Sequence, residues 1–198
     1  MKPTTYFRQR LDRTPSPWKI GQVVIQSGYF LMHVDDRESS QLRPVADIDD
    51  WREILKSNVR GEFRPLKAAP DLQRGWKFGP LSFTDLLLAL EHLYPAAIAN
   101  ASLFEENELE VTPYQETANR QTGRYAITKT LESTTLTELQ SEICTSGCLK
   151  QRLWSSSPVA KSTNLSSEFP LFCPEACNYF ISKARDKIKG DLENDPLE

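Results

Sequence analysis

Between Ile20 and Val34 the chain follows the period of a β-strand. Ile20 to Gln26 is β-branched, and Tyr29, Leu31 and His33 alternate with Phe30, Met32 and Val34. Ser27-Gly28 separates the two runs, which predicts a β-hairpin with one apolar and one mixed face, His33 lying at an edge or surface. Before it, Met1 to Trp18 is polar and holds Pro3, Pro15 and Pro17, the pattern of an irregular arm. After it the period becomes helical. Asp47 to Lys56 sets Ile48, Trp51, Ile54 and Leu55 on one face, with Asp residues at its start and Lys56 in its last turn, as the helix dipole favours. Arg60 to Pro80 is basic and too rich in Pro and Gly for a long element.

Ser82 to Tyr94 has the strongest helical pattern. Ser82 is a candidate N-cap with Asp85 three residues on, Phe83, Leu86, Leu87, Leu90 and Leu93 form an apolar stripe that Leu88 widens, and Pro95 stops it. An Ala-rich segment, Ala96 to Leu103, continues the core. Glu105 to Val111 predicts an acidic turn into a short strand. Tyr114 to Thr122 predicts a helix with Thr112 as N-cap, Pro113 at its first position and Gly123 after its end. Arg124 to Thr130 predicts a strand, Thr135 to Thr145 a helix, and Leu149 to Trp154 a helical turn. Ser155 to Pro170 holds six Ser in sixteen positions and predicts a flexible loop. Pro174 to Lys189 predicts a helix closed by Gly190.

The 198 residues are enough for one ordinary domain or a small one with an appendage. Hydrophobic residues make up 39% and the mean hydropathy is −0.49, on the polar side, while 4 Trp, 9 Phe and 6 Tyr supply the bulk of a core. No run approaches the roughly 20 apolar residues of a membrane span, and Lys2, Arg8 and Arg10 are followed by polar residues rather than an apolar signal stretch. A soluble, cytoplasmic protein is the expectation. The net charge of −3 argues against a nucleic-acid partner. Charge is nonetheless banded: residues 51–80 carry seven basic and three acidic side chains, residues 81–118 seven acidic and no basic ones. Arg64, Lys67, Arg74 and Lys77 with Trp76 form a candidate docking patch, the alternative being a surface loop whose Trp is buried. Only two His occur, and no Ser/His/Asp order, phosphate loop or HExxH motif, so no catalytic constellation is found.

The chemistry lies in the cysteines. All four fall into one constellation, Cys144-x-x-x-Cys148, then 24 residues, then Cys173-x-x-x-Cys177. On a helix, positions four apart share a face at about 6 Å. The second pair opens the predicted helix, where free N–H groups and the positive dipole end favour thiolates. Four thiolates converging on one point are what an all-cysteine metal site needs. From spacing alone zinc comes first, a 4Fe–4S cluster second, unligated thiols third and disulfides last, because nothing here marks a secreted chain. Lys150, Arg152, Lys183 and Arg185 follow the two pairs and could offset the charge of a thiolate-bound cluster. Trp154, Phe172, Tyr179 and Phe180 could shield it. Arg120 and Arg124 could face it too, or simply cap a helix end.

Several stretches, read together, resemble a known family. They are Arg64-Pro65-Leu66-Lys67-Ala68-Ala69-Pro70 with Arg74-Gly75-Trp76, Thr112-Pro113-Tyr114-Gln115-Glu116-Thr117 with Asn119-Arg120-Gln121-Thr122-Gly123, Cys148-Leu149-Lys150-Gln151-Arg152-Leu153-Trp154 after Cys144, and Cys173-Pro174-Glu175-Ala176-Cys177. They resemble the 4Fe–4S cluster-binding domain, with its adjoining stabilising domain, found in CbiX-like sirohydrochlorin cobaltochelatase proteins. The resemblance runs from about residue 20 to about residue 190, and the cysteine motifs are its most specific part. It implies that Cys144, Cys148, Cys173 and Cys177 ligate a 4Fe–4S cluster. It does not carry over chelatase activity, because there is no chelatase-sized segment and no His pair to hold a metal for insertion.

The expected architecture is α+β, a small N-terminal hairpin-and-helix unit packed on a mainly helical four-cysteine domain. Its expected divisions are an arm at 1–19, a stabilising unit at 20–58, the cluster-binding domain at 59–190 and an acidic tail at 191–198. The expected function is 4Fe–4S electron transfer or redox sensing, accessory to tetrapyrrole metabolism, with a redox partner or a chelatase-like enzyme as partner. The alternative is an interaction module with a structural zinc and no redox activity.

Overall fold

A computed structural model describes residues 1–45, 54, 72–154 and 167–194. The architecture is α+β, and the chain divides into two compact units. The first comprises Met1–Leu109 with Lys161–Leu171, the second Glu110–Ala160 with Phe172–Glu198. The division falls at 109/110 and not at 58/59. The reason is strand recruitment: the sheet of the first unit draws in segments from well beyond the hairpin, as far as Glu168–Phe169.

That sheet has six strands in the order β4-β5-β3-β2-β1-β7. β1 (Trp18–Ile20), β2 (Val23–Gln26) and β3 (Phe30–His33) form an antiparallel meander. β4 (Arg43–Val45) runs parallel to β5 (Trp76–Phe78), which pairs antiparallel with β3, and β7 (Glu168–Phe169) runs parallel to β1. The predicted hairpin is present, with Gln26 opposite Phe30 and Gly28 at φ 77° in its loop. An extra reversal splits its first arm, because Gly21 takes φ 54° and turns β1 into β2. Val23, Val24 and Ile25 are all buried, as are Leu31, Met32 and His33, so the centre of the sheet is covered on both faces.

The N-terminal segment is helical from Pro3 to Arg13 (α1), not an irregular arm. Pro3 occupies the helix start, where its missing N–H costs nothing, and Arg10 and Arg13 sit in the last turn, where the dipole favours cations. Tyr6, Phe7 and Leu11 are its buried face, and Phe7 meets Phe169 edge-on at 5.1 Å between ring centres. α2 (Phe83–Leu93) forms as predicted, with Ser82 Oγ accepting from Asp85 N at 3.1 Å. Leu88 departs from expectation and lies 46% exposed, outside the buried stripe of Leu86, Ala89, Leu90 and Leu93. α3 (Ala97–Glu105) follows after a left-handed Ala96, and the two helices bend by 97°. Among the described residues no single helix is long and apolar enough to cross a membrane. The strand expected after Glu105 is absent, that stretch being irregular. The helix predicted at Asp47 to Lys56 lies outside the described residues apart from Ile54, which is buried.

The second unit is built from short pieces. α4 (Tyr114–Asn119) follows Pro113, which stands at the N-cap itself. Gly123–Thr130 is a 3-10 helix, not a strand: the Thr128 and Thr130 hydroxyls donate to the carbonyls of Tyr125 and Ile127 three residues back, a spacing that holds a helical turn. α5 (Ser133–Leu139) widens into a π-helix at Gln140–Thr145. β6 (Gln151–Arg152) pairs in parallel with β8 (Phe172–Cys173), where the sequence predicts a helical turn. α6 (Asn178–Asn194) starts four residues later than predicted and continues through Gly190. Its core is Tyr114, Ala118, Leu139, Trp154, Ala176, Phe180, Ile181 and Ala184. Trp154 and Tyr114 both pack edge-on against Phe180, at 4.9 and 5.8 Å. Of the predicted flexible loop, residues 155–166 lie outside the described residues, as do 195–198 of the predicted acidic tail, while residues 191–194 continue α6.

His33 corrects the expectation of an edge residue. It is 3% exposed, and its Nδ1 accepts from Asp35 N at 3.2 Å. Burial lowers its pKa below 6.5, against the raising pull of Asp35 and Asp36. The unfolded chain therefore takes up a proton first as pH falls, so the stability held by neutral His33 is complete above about pH 6.5 and is lost below it. Urea unfolding at pH 7.5 and pH 5.5 should show a larger loss in the wild type than in His33→Asn, which keeps an acceptor without titrating. Equal losses would refute this assignment.

A second expectation concerns Gly21. A Cβ there would stand 2.7 Å from Cζ and Oη of Tyr94, whose hydroxyl accepts from Gln22 N at 2.8 Å. Gly21→Ala should cost about 2 kcal/mol or more, from the left-handed backbone and this collision together. Chemical denaturation checks it, and a loss near zero would contradict the geometry.

Candidate metal centre

The cysteines all lie in the second unit, all free and all partly exposed. The structure does not hold them as two helical pairs. Cys144 sits in the last turn of the π-helix, where Ser146 N donates to Ser141 O at 3.1 Å, five residues back. This wide turn then breaks through Gly147, where a Cβ would press against Ile143 O at 3.0 Å, and delivers Cys148 in irregular backbone. Cys173 is in strand β8, directly opposite Arg152 of β6. Cys177 caps α6 with its carbonyl, which accepts from Ile181 N at 3.0 Å. Pro174 to Cys177 is thus a bend and not a first helical turn, and that is why the helix starts late.

Cys144, Cys173 and Cys177 pack against the aromatic core of this unit. Burial pushes the Cys144 thiol up to about 11, Arg152 opposes this, and charge on Cys173, Cys148 or Cys177 would push it further. All four sulfurs therefore lie within electrostatic reach of one another. Burial likewise raises Cys148, against the backbone N–H groups of Lys150 and Leu149 and the Lys150 charge. Lys150 N donates to Cys148 Sγ at 3.4 Å. Burial raises Cys173 too, against the lowering pull of the Trp154 indole and the Lys150 charge. The expected lowering at a helix N-terminus does not hold for Cys173, which lies in a strand before the helix. Its S–H donates to Glu175 O at 3.1 Å.

Of the three arginines considered, one stands among the cysteines. Arg152 is paired in register with Cys173 and acts on Cys144. Its Nε and Nη1 are buried without a hydrogen-bond partner, and so is Nε1 of Trp154, which is directed at the Cys173 sulfur without regular hydrogen-bond geometry. Arg120 instead forms an ion pair with Glu175 at 2.8 Å and so ties down the bend between Cys173 and Cys177. Arg124 is exposed and stacks on Tyr125 at 5.0 Å. Lys183 lies over Tyr179, and Arg185 pairs with Asp186 and lies over Tyr125. Lys150 is the other cation that reaches the sulfurs. Among the expected shielding aromatics, Trp154, Phe172 and Phe180 are buried and Tyr179 is half-exposed.

The donor set fits an anionic, sulfur-ligated group. It offers four thiols, backbone N–H groups aimed at sulfur, and buried guanidinium and indole nitrogens that lack an acceptor. Among the described residues, no three His, Cys, Asp or Glu side chains are gathered in a way that could hold a single ion. A tetrahedral zinc would need its thiolates about 3.8 Å apart, from Zn–S bonds of about 2.3 Å.

The described members of the candidate docking patch are each engaged within the fold. Trp76 is 2% exposed with its Nε1 donating to Gln73 O, Arg74 pairs with Asp35, and Lys77 lies over the Phe30 ring. Arg64 and Lys67 lie outside the described residues.

Comparison with known proteins agrees with the two-unit division. Residues 7–105 match the model of the DR2241 stabilising domain and residues 106–186 that of a 4Fe–4S iron–sulfur cluster binding domain. The chain belongs to the family of proteins in which a DR2241 stabilising domain adjoins a 4Fe–4S cluster-binding domain. A similar solved structure is DR2241 from Deinococcus radiodurans, described as a multi-domain protein with structural similarity to chelatases and two additional novel domains. It matches with a TM-score of 0.80 and 29% identity over 96% of this chain. The chain spans 41% of the length of that protein. No curated protein matches.

In the metal-free protein, Cys144 should be alkylated by iodoacetamide at pH 7.5 at least about tenfold more slowly than in the urea-unfolded chain, because little of it is thiolate. Its rate should climb as pH rises toward 11. Peptide mass spectrometry of labelling time courses reads this directly, and equal rates in folded and unfolded protein would refute it.

Proposed function

We propose that Cys144, Cys148, Cys173 and Cys177 ligate one 4Fe–4S cluster and that the protein uses it to transfer single electrons. The observation that carries this reading is the state of the cysteines. All four are free, belong to one unit, lie within electrostatic reach of each other and keep partial exposure. Partial exposure suits a relay, which needs its cluster near the surface, better than a purely structural site. The match of residues 106–186 to a 4Fe–4S cluster binding domain supports the choice of cluster over zinc.

When bound, the cluster supplies a one-electron couple. The chain's own residues do the rest. The π-turn and the bend at Pro174 to Cys177 present the sulfurs. The Lys150 and Leu149 N–H groups and Trp154 Nε1 stabilise thiolate over thiol. The Trp154–Phe180–Tyr114 cluster closes the inner side of the site to water.

The relative's likeness to chelatases supports a partner of that class, an enzyme of tetrapyrrole metabolism, to or from which the electron passes. Neither His is assigned an acid–base role. His33 is buried, and His92 Nδ1 bonds to Leu88 O within its own helix.

Anaerobic purification should yield about four iron and four labile sulfides per chain with a broad visible absorption band, and a reversible one-electron reduction by electron paramagnetic resonance. Replacing any one of the four Cys by Ser should remove most of the iron and sulfide. One equivalent of zinc with no sulfide would overturn the reading.

A further inference from the structure

We propose that Arg152 is the fixed counter-charge of the cysteine site and a positioning residue for its redox couple, raising the reduction potential of whatever four-thiolate group the site holds. The inference rests on the 4Fe–4S reading and adds to it a residue that sets how readily the site accepts an electron.

The observation is an electrostatic debt. Nε and Nη1 of Arg152 are both buried and neither has an acceptor. A guanidinium cannot shed its proton to escape burial, so each orphaned donor costs the full loss of its hydration. Chains keep such a group where an anion completes it. The guanidinium carbon lies 5.5 Å from the centre of the Trp154 ring, which has no charge to offer. The groups that do carry charge on deprotonation are the sulfurs. Strand pairing sets Arg152 opposite Cys173, and its charge acts on Cys144. One residue is thus tied to one cysteine of each pair, to Cys173 by strand register and to Cys144 by charge.

The other nearby cations do not have this character. Arg120 is already paired with Glu175, Arg124 is exposed on Tyr125, and Lys150 has no buried orphan nitrogen. A cation fixed beside the thiolates stabilises the more negative, reduced state of a bound group more than the oxidised one. Reduction adds the full extra charge within reach of the guanidinium, in a medium less polarisable than water. Two buried donors that have no other acceptor strengthen the same preference.

The test uses the whole chain loaded anaerobically, with iron and sulfide assayed in every sample and the potential read by spectroscopic redox titration. Arg152→Gln and Arg152→Met should each lower the reduced-to-oxidised ratio at least tenfold at the wild-type midpoint, which is about 59 mV for one electron. Arg152→Lys should restore the ratio to within threefold of wild type, because it keeps the charge. Arg124→Gln, which removes an exposed cation, should leave it unchanged. If the Gln and Met variants lose iron and sulfide while the Lys variant retains them, the role of the charge is supported. If all three lose the cluster, side-chain shape is what matters and the inference is overturned. A loaded Gln variant with unchanged potential overturns the inference and leaves the 4Fe–4S reading standing. A wild type without sulfide overturns both.

Discussion

The second unit depends on one short parallel pairing. Gln151 lies opposite Phe172 and Arg152 opposite Cys173, with Leu153 N donating to Cys173 O at 3.0 Å. Two residues of sheet on each side are weak by themselves. They are fixed because what flanks them is anchored: Trp154 and Phe172 are buried, and the Trp154 ring is held edge-on by Phe180 of the following helix. This pairing brings the second cysteine motif back to the first across a long excursion of chain. It also sets Arg152 in register with Cys173.

The surroundings of the sulfurs set two tendencies against each other. Burial makes the neutral thiol the favoured form of Cys144, Cys148 and Cys173. Backbone N–H groups, the indole nitrogen, Lys150 and Arg152 favour the thiolate. Without a cationic centre, burial prevails at these three thiols and keeps them protonated. With one, the same desolvation strengthens each charge-assisted contact. The half-buried depth of the cysteines is thus a compromise between reactivity in the empty protein and strength of binding in the loaded one.

The legible parts of the fold were those with a local cause. The Ser82 cap, the Pro95 stop and the leucine stripe of α2 needed only neighbours within a few residues, and the Ser27-Gly28 reversal needed only a glycine. The misread parts took their conformation from distant partners. Gly123–Thr130 has strand-like composition, yet the Tyr114 hydroxyl donates to Thr128 O at 2.9 Å and its own threonines close helical turns. Pro174 reads as a helix start, but the strand pairing of Cys173 and the Arg120–Glu175 ion pair hold the next residues out of a helix. Pro3 is the converse, a breaker by composition that in fact begins a helix. For the site, the four cysteines were visible from spacing. That Arg152 would be the arginine among them was not, since this depends on a pairing between segments whose partners no local pattern announces.

The course of the chain through its two units has a consequence for modularity. The family boundary falls at 105/106, so by that division the first unit ends there. Yet its sheet is completed by Glu168–Phe169, which lies inside the segment matched to the cluster-binding domain, and only Pro170 and Leu171 separate that strand from the one bearing Cys173. No single cut yields both units whole. Severed at the family boundary, the first unit would expose the edge of β1 as an open template for another strand. The stabilising domain therefore borrows part of its own framework from the segment matched to its neighbour, so excising it at that boundary removes a strand and not only a linker.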